Sequence, residues 1–430
     1  MKIKTIAAAA VLAASLALGA CGGGTAVTGN SSAVSGSAAG SSEEASGKGT
    51  ADVSSAPSVS ASSAKNAAQK AELYVTEDLG DAPELSGLTC EKKLNLQYAK
   101  DFAVYYYDDD YKIISIRDGG NYLIVPEGKE APQGISDDLV VIQGPPKNIY
   151  MAASGSMCFF PALGCMDSVT MTSVDRDGWY IQAPIDAINA GTMTFAGKYS
   201  EPDYEMLISK DCGLAIESTM ILHAPKVKEM IEGLGIPVLI DRCSYETDPF
   251  GRMEWVKMYG ALMGKEEAAA DYFADELTSL GDYKNFEDTG KTVAFFSINS
   301  NQQVTVRKTD DIIPNMINMS GGSYIFKDLE NTAGNSVSVN LSMEKFYADA
   351  KDADYLVYNA IIETPLTGMS DLTGKNPMFS QFKAVQDGNV WQVDKSWYQS
   401  TDRVGELLAD LHHMVTDGNA EEMKFLKKVS

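Results

Sequence analysis

From residue 148 to residue 415, short apolar runs alternate with stretches in which apolar residues recur every three to four positions. Residues 148–151, 213–216 and 236–240 read as buried strands. Residues 155–163 and 226–233 read as helices that stop at glycine. The alternation restarts with a strand at 293–298, a helix at 312–319 and a strand at 355–361. A helix at 377–384, a strand at 390–393 and a last helix at 404–415 follow. Strands interleaved with helices in this way predict βαβ units, and so sheets that are mostly parallel and flanked by helices. Between the two blocks, after the breaker Pro249-Phe250-Gly251, Trp255, Met258, Tyr259, Leu262 and Met263 keep helical spacing and lead into an alanine-rich run. The spacing predicts one continuous helix over 252–280, about 28 residues and about 42 Å long at 1.5 Å per residue. The predicted class is α/β, with two lobes joined by one long hinge helix. Upstream, 101–128 has aromatic and β-branched runs broken by Asp108-Asp109-Asp110 and Asp118-Gly119-Gly120-Asn121, the pattern of an antiparallel β-meander.

The amino terminus has a different pattern. Lys2 and Lys4 precede an apolar stretch over 6–20, which ends in Leu18-Gly19-Ala20-Cys21. That is the layout of a secretion signal, and it is shorter than the ~20 apolar residues of a membrane-spanning helix. The junction resembles the lipobox of bacterial lipoproteins, which implies that Cys21 carries a lipid and that the chain works outside the cytoplasm, anchored to the cell membrane. From 22 to 69 the chain is rich in Gly, Ser, Ala, Thr and Val and has no aromatic residue. Such a stretch is expected to be a flexible tether, with an end-to-end distance of roughly 35–40 Å. The expected divisions are a signal peptide at 1–20, the tether at 21–70, a β-rich extension at 71–144, a first lobe at 145–248, the hinge helix at 249–281 and a second lobe at 282–430.

Composition narrows the function. A formal charge of −24 argues against nucleic acid or an anionic bilayer as partner. Five cysteines remain besides Cys21: Cys90, Cys158, Cys165, Cys212 and Cys243. None forms a C-x₂-C pair and there are only three histidines, so a zinc site is not expected. Cys212 and Cys243 each lie near a core strand, as a disulfide or as two buried thiols. No G-x-S-x-G elbow, P-loop or H-E-x-x-H helix occurs, and the chain is not expected to be an enzyme.

The ordered segments "NIYMAASGSMCFFPALGCMD", "DYEMLISKDCGLAIES", "IEGLGIPVLIDR", "MEWVKMYGALMGKEEAAADYF", "NMSGGSYIF", "SMEKFYADAKDADYLVY", "FKAVQDGNVWQV" and "RVGELLADLHHMV" resemble the helix-hinged, class III substrate-binding proteins of ABC importers. That family includes ferric-siderophore, haem and vitamin B12 binders, and the resemblance covers about 148–415. It implies a monomer with no intrinsic cofactor that takes a metal chelate, a ferric siderophore or haem, and delivers it to a permease and its ATPase. A corrinoid is the alternative ligand, and a surface adhesin or sensor without a channel the alternative role. The family docks to arginines of its permease through one glutamate on each lobe. Glu205 in "DYEMLI" and Glu344 in "SMEKFY" match those places.

Ligands of open α/β sheets sit outside the carboxyl ends of the strands. The expected binding residues are therefore Ser154, Ser156 and Met157, Ser218, Tyr245, Asn301, and the adjacent aromatics Trp397 and Tyr398. Trp179 and Tyr180 also reach towards this region, and Arg307 is a candidate partner for a ligand carboxylate. Few charges and several aromatics suit a large, partly planar ligand. His223 lies near the expected cleft but reads as structural, and no metal ligand is assigned.

Overall fold

The computed structural model describes residues 73–281, 286–329 and 337–430. The signal, Cys21 and the tether lie outside the described residues.

Six strands form the first sheet: β1 (Tyr74–Val75), β2 (Cys90–Leu94), β3 (Phe102–Tyr107), β4 (Lys112–Ile116), β5 (Gly120–Val125) and β6 (Leu139–Gln143), paired in chain order. Pairing is antiparallel through β5, and β6 then adds parallel to β5. The acidic clusters make the turns: Asp109, Asp110 and Asp118 all take positive φ, which short Asp side chains tolerate. Alternation splits the sheet between two cores. Val104, Tyr106, Ile114 and Ile124 join the main core, while Tyr105, Tyr107, Ile113 and Leu123 close a small one with Leu85 and Tyr111.

The first lobe holds β7 (Ile149–Met151), β8 (Val169–Thr172), β9 (Thr194–Phe195), the small hairpin β10 (Gly197–Lys198) and β11 (Glu201–Pro202), then β12 (Leu214–Ser218) and β13 (Val238–Asp241). The main sheet runs β13-β12-β7-β8-β9 and is parallel throughout. Its helices are α1 (Phe159–Ala162), α2 (Gln182–Asn189), α3 (Tyr204–Ser209) and α4 (Pro225–Gly233). Where the spacing predicts a helix at 155–163, a 3₁₀ turn at Ser154–Ser156 precedes the short α1.

The single hinge helix is not what forms. The chain makes α5 (Pro249–Glu254), α6 (Val256–Met263) and α7 (Glu266–Leu280), and α6 and α7 pack against each other. Gly264 is the cause: it ends α6 in the left-handed region at φ 65°, a conformation that glycine adopts without steric cost. Glu266 and Glu267 then start α7 with acids in its first turn, where the helix dipole favours them. The first sheet braces this hairpin. Glu254, fully buried, accepts from the backbone N–H groups of Gln97, Tyr98 and Ala99 and pairs with Lys257 at 2.7 Å.

The second lobe contains β14 (Lys291–Ile298), β15 (Val304–Arg307), β16 (Gly322–Tyr324), β17 (Ser338–Leu341), β18 (Tyr355–Tyr358), β19 (Val390–Val393) and β20 (Leu426–Lys428). β16, β14, β18 and β19 are parallel neighbours, and β15, β17 and β20 add antiparallel strands at the edges. Flanking helices are α8 (Ile312–Met319), α9 (Met343–Ala350), α10 (Met369–Lys375), α11 (Lys383–Gln386) and α12 (Val404–Val415). Asp311 and Ser342 cap α8 and α9 through their side chains, satisfying first-turn N–H groups. The five described cysteines are all free, so Cys212 and Cys243 do not pair.

Candidate ligand-binding cleft

The carboxyl ends of β7, β12 and β13 open onto a cleft of about 230 Å³ between the lobes. From the first lobe it is lined by residues 152–156, Ser218, Asp241, Cys243, Ser244 and Arg252, and from the second by Trp397, Tyr398, Thr401 and Val404. Asp241 ends β13 and organises the floor. Its Oδ2 accepts from Ser156 Oγ at 2.9 Å and from Tyr259 Oη at 2.7 Å, and its Oδ1 accepts from the Cys243 N–H. One buried carboxylate thereby ties the loop after β7 to α6. Burial raises the Asp241 carboxyl pKa, and the bonds from Tyr259, Cys243 and Ser156 oppose that rise.

The second lobe reaches across through the segment 395–403. Thr401 Oγ1 donates to the Gly155 carbonyl at 2.6 Å. A Cβ at residue 155 would stand 3.2 Å from the Tyr398 carbonyl, so glycine there allows the loops to meet. Gln399, fully buried, makes a two-point bridge: its Nε2 donates to the Gly178 carbonyl at 2.9 Å, and its Oε1 accepts from the Tyr180 N–H at 2.7 Å. The same Nε2 reaches Tyr398 Oη. The Tyr398 ring meets the Tyr180 ring edge-on at 6.4 Å.

Of the residues expected from sequence, Ser154, Ser156, Ser218, Trp397 and Tyr398 line the cleft. Tyr180 is 41% exposed beside Tyr398. Tyr180 and the others lie outside the lining. Met157 is buried in the main core. Trp179 is buried too, its Nε1 donating to the Val174 carbonyl. Tyr245 is exposed under Arg242, its Oη 3.3 Å from Thr219 Oγ1. Asn301 lies in the exposed turn between β14 and β15, its backbone N–H donating to Asn299 Oδ1. Arg307 lies on β15 and pairs with Asp311 at 3.8 Å.

Sequence reasoning missed Asp241, Gln399, Thr401 and Arg252. Asp241 reads as the residue just past a strand at 236–240, and Gln399 as a neighbour of two larger aromatics. Arg252 reads as the first residue of a helix, yet its guanidinium folds back onto the turn at 244–246. Among the described residues, no group of three His, Cys, Asp or Glu is placed to hold a metal ion. His223 is exposed at the end of the 3₁₀ turn Thr219–His223. Glu205 and Glu344 are both exposed, in the first turns of α3 and α9.

No family model matches the sequence. An uncharacterized lipoprotein of Methanocaldococcus jannaschii is 26% identical over 347 residues, covering 74% of this chain and 80% of the relative. A periplasmic binding protein from Veillonella parvula superposes with a TM-score of 0.52 at 17% identity, over 67% of this chain and 97% of its own. A periplasmic heme binding protein from Pseudomonas aeruginosa gives 0.50 at 18% identity, over 66% and 98%. At such identities the likeness is one of architecture: two α/β lobes with a cleft between them. The chain has the fold of these periplasmic binding proteins.

Proposed function

We propose that this chain is the lipid-anchored, extracytoplasmic solute-binding component of an ABC importer, and that it captures a metal chelate, a ferric siderophore or haem, between its lobes. The observation that carries this reading is the cleft. It lies at the carboxyl ends of parallel strands, is lined from both lobes, and joins aromatic faces to hydroxyl groups. The heme binding of the Pseudomonas aeruginosa protein with the same fold supports a chelate. The lipoprotein named among the sequence relatives supports an anchor at Cys21. Glu205 and Glu344 would then dock the two lobes to arginines of the permease. A corrinoid in the same cleft is the second reading, favoured by its few charges.

A space of about 230 Å³ is below the usual range of roughly 300–1,000 Å³ for ligand pockets. Capture of a chelate therefore requires the lobes to part at the Thr401–Gly155 and Gln399–Tyr180 contacts. The test is a thermal-shift screen with haem, cobalamin and representative ferric siderophores, beside free amino acids and sugars. A chelate is expected to raise Tm by several degrees. A rise with an amino acid or sugar, and none with any chelate, would reject the reading.

A further inference from the structure

The cleft contains a cation, Arg252, that has no carboxylate at ion-pair distance among the described residues. Arg252 Nε donates to the Glu246 carbonyl at 3.1 Å, and one terminal nitrogen donates to the carbonyls of Ser244 at 2.5 Å and Glu246 at 2.9 Å. These bonds fix the plane of the guanidinium and supply no negative charge. Among the described residues no carboxylate lies within ion-pair distance of it: neighbouring Arg307 pairs with Asp311 and Arg242 with Asp118. Asp241 lines the same cleft, but its oxygens are taken by Ser156, Tyr259 and Cys243. Burial acts against the charge of Arg252 and Asp311 and Glu246 support it from beyond ion-pair distance, and a guanidinium does not give up its proton in a protein. A half-buried cation with no close ion pair gains when an oxygen anion meets it.

The surroundings suit an oxygen anion. Hydroxyls of Ser154, Ser218 and Ser244 line the same space. Ser218 Oγ accepts from the Met220 N–H, which leaves its own proton free to donate. The second terminal nitrogen of Arg252 makes no hydrogen bond among the described residues and belongs to a fork shaped for bidentate contact with a carboxylate or oxyanion.

We infer that Arg252 anchors an anionic oxygen group of the ligand, a carboxylate, a catecholate or an inorganic oxyanion. This rests on the cleft being the ligand site and adds a charge requirement to it. A neutral ligand of the same shape leaves the guanidinium without a close counter-charge, so discrimination by charge is expected.

The experiment uses matched probes. Haem is compared with its dimethyl ester, and a carboxylate-terminated ferric trihydroxamate with its amide, on wild-type protein, Arg252→Gln and Arg252→Lys. A separate arm measures Tm in inorganic phosphate and sulfate. In whichever pair binds, the charged member is expected to bind wild type at least tenfold more tightly. Arg252→Gln should abolish that preference and Arg252→Lys retain part of it. Variants that melt as sharply as wild type exclude misfolding as the cause, and Arg252→Lys carries the test should Arg252→Gln not fold. Equal affinity for both members, or a preference that survives in Arg252→Gln, overturns the inference while leaving the chelate reading in place. If no chelate binds but phosphate or sulfate raises Tm in wild type and not in Arg252→Gln, the anion anchor stands and the chelate reading falls. If neither binds, both fall.

Discussion

Glu217 shows how a single residue can set the pH response of a lobe. It lies near the end of β12, fully buried, and neither carboxyl oxygen has a hydrogen-bond partner. Burial raises its pKa to about 8 from the usual 4.5. The native state therefore keeps a proton that the unfolded chain loses above about pH 4.5. The sign follows: stability falls as pH rises from 4.5 towards 8 and then levels off. At 1.36 kcal/mol per pKa unit, the loss is on the order of a few kcal/mol. Glu217→Gln is expected to stabilise the protein, with a Tm gain that is small near pH 5 and large near pH 8. An equal gain at both would show that the carboxyl does not titrate as described. The sequence placed Glu217 in a loop after the strand, because a charged residue between Ile216 and Ser218 reads as a strand end. Register shows instead that it pairs with Ile240 inside the sheet. Trp397 and Tyr398 were legible because two large aromatics directly after a strand have few other places to go. Arg252 was not, because the path of a long side chain back over its preceding turn leaves no trace in spacing.

Among the elements, the helices from 249 to 280 carry the main correction. Apolar spacing continues from Trp255 to Met263 and the alanine-rich run prolongs it, so periodicity alone joins α6 to α7. The break was nevertheless written in Gly264 followed by Lys265-Glu266-Glu267, a C-terminal glycine and then an acidic first turn. Strand pairings were less legible than strand positions. Alternation marks β5 as a strand, but nothing local says that β6 returns parallel to it. The 3₁₀ segment Lys395–Gln399 carries Gln399 across to the first lobe. Gln399→Ala removes both hydrogen bonds to 178–180, so hydrogen exchange at the Tyr180 amide is expected to accelerate by at least tenfold. Exchange at Tyr150, inside β7, should not change. An unchanged Tyr180 rate would mean that Gln399 does not hold the lobes together.

For the whole molecule, the two-lobe plan was legible because the order of strands and glycine-stopped helices repeats on either side of the helical middle. The brace of the first sheet on that middle was not, since Glu254 meets Gln97, Tyr98 and Ala99 across more than 150 residues. If the lobes dock to a permease through Glu205 and Glu344, reversing both charges should abolish uptake in cells. Ligand affinity of the purified protein should be unchanged, because both residues are exposed in helix first turns and neither lines the cleft. Undiminished uptake by the double variant would reject the docking role.

The central claim is that one ligand binds between the lobes at the ends of β7, β12 and β13. Its most direct test is calorimetric titration of the best chelate from the thermal-shift screen into wild type and Tyr398→Ala. The expected result is one molecule per chain, with affinity at least tenfold weaker in the variant. Binding that is undiminished in Tyr398→Ala, or heat released only by an amino acid or sugar, would contradict it.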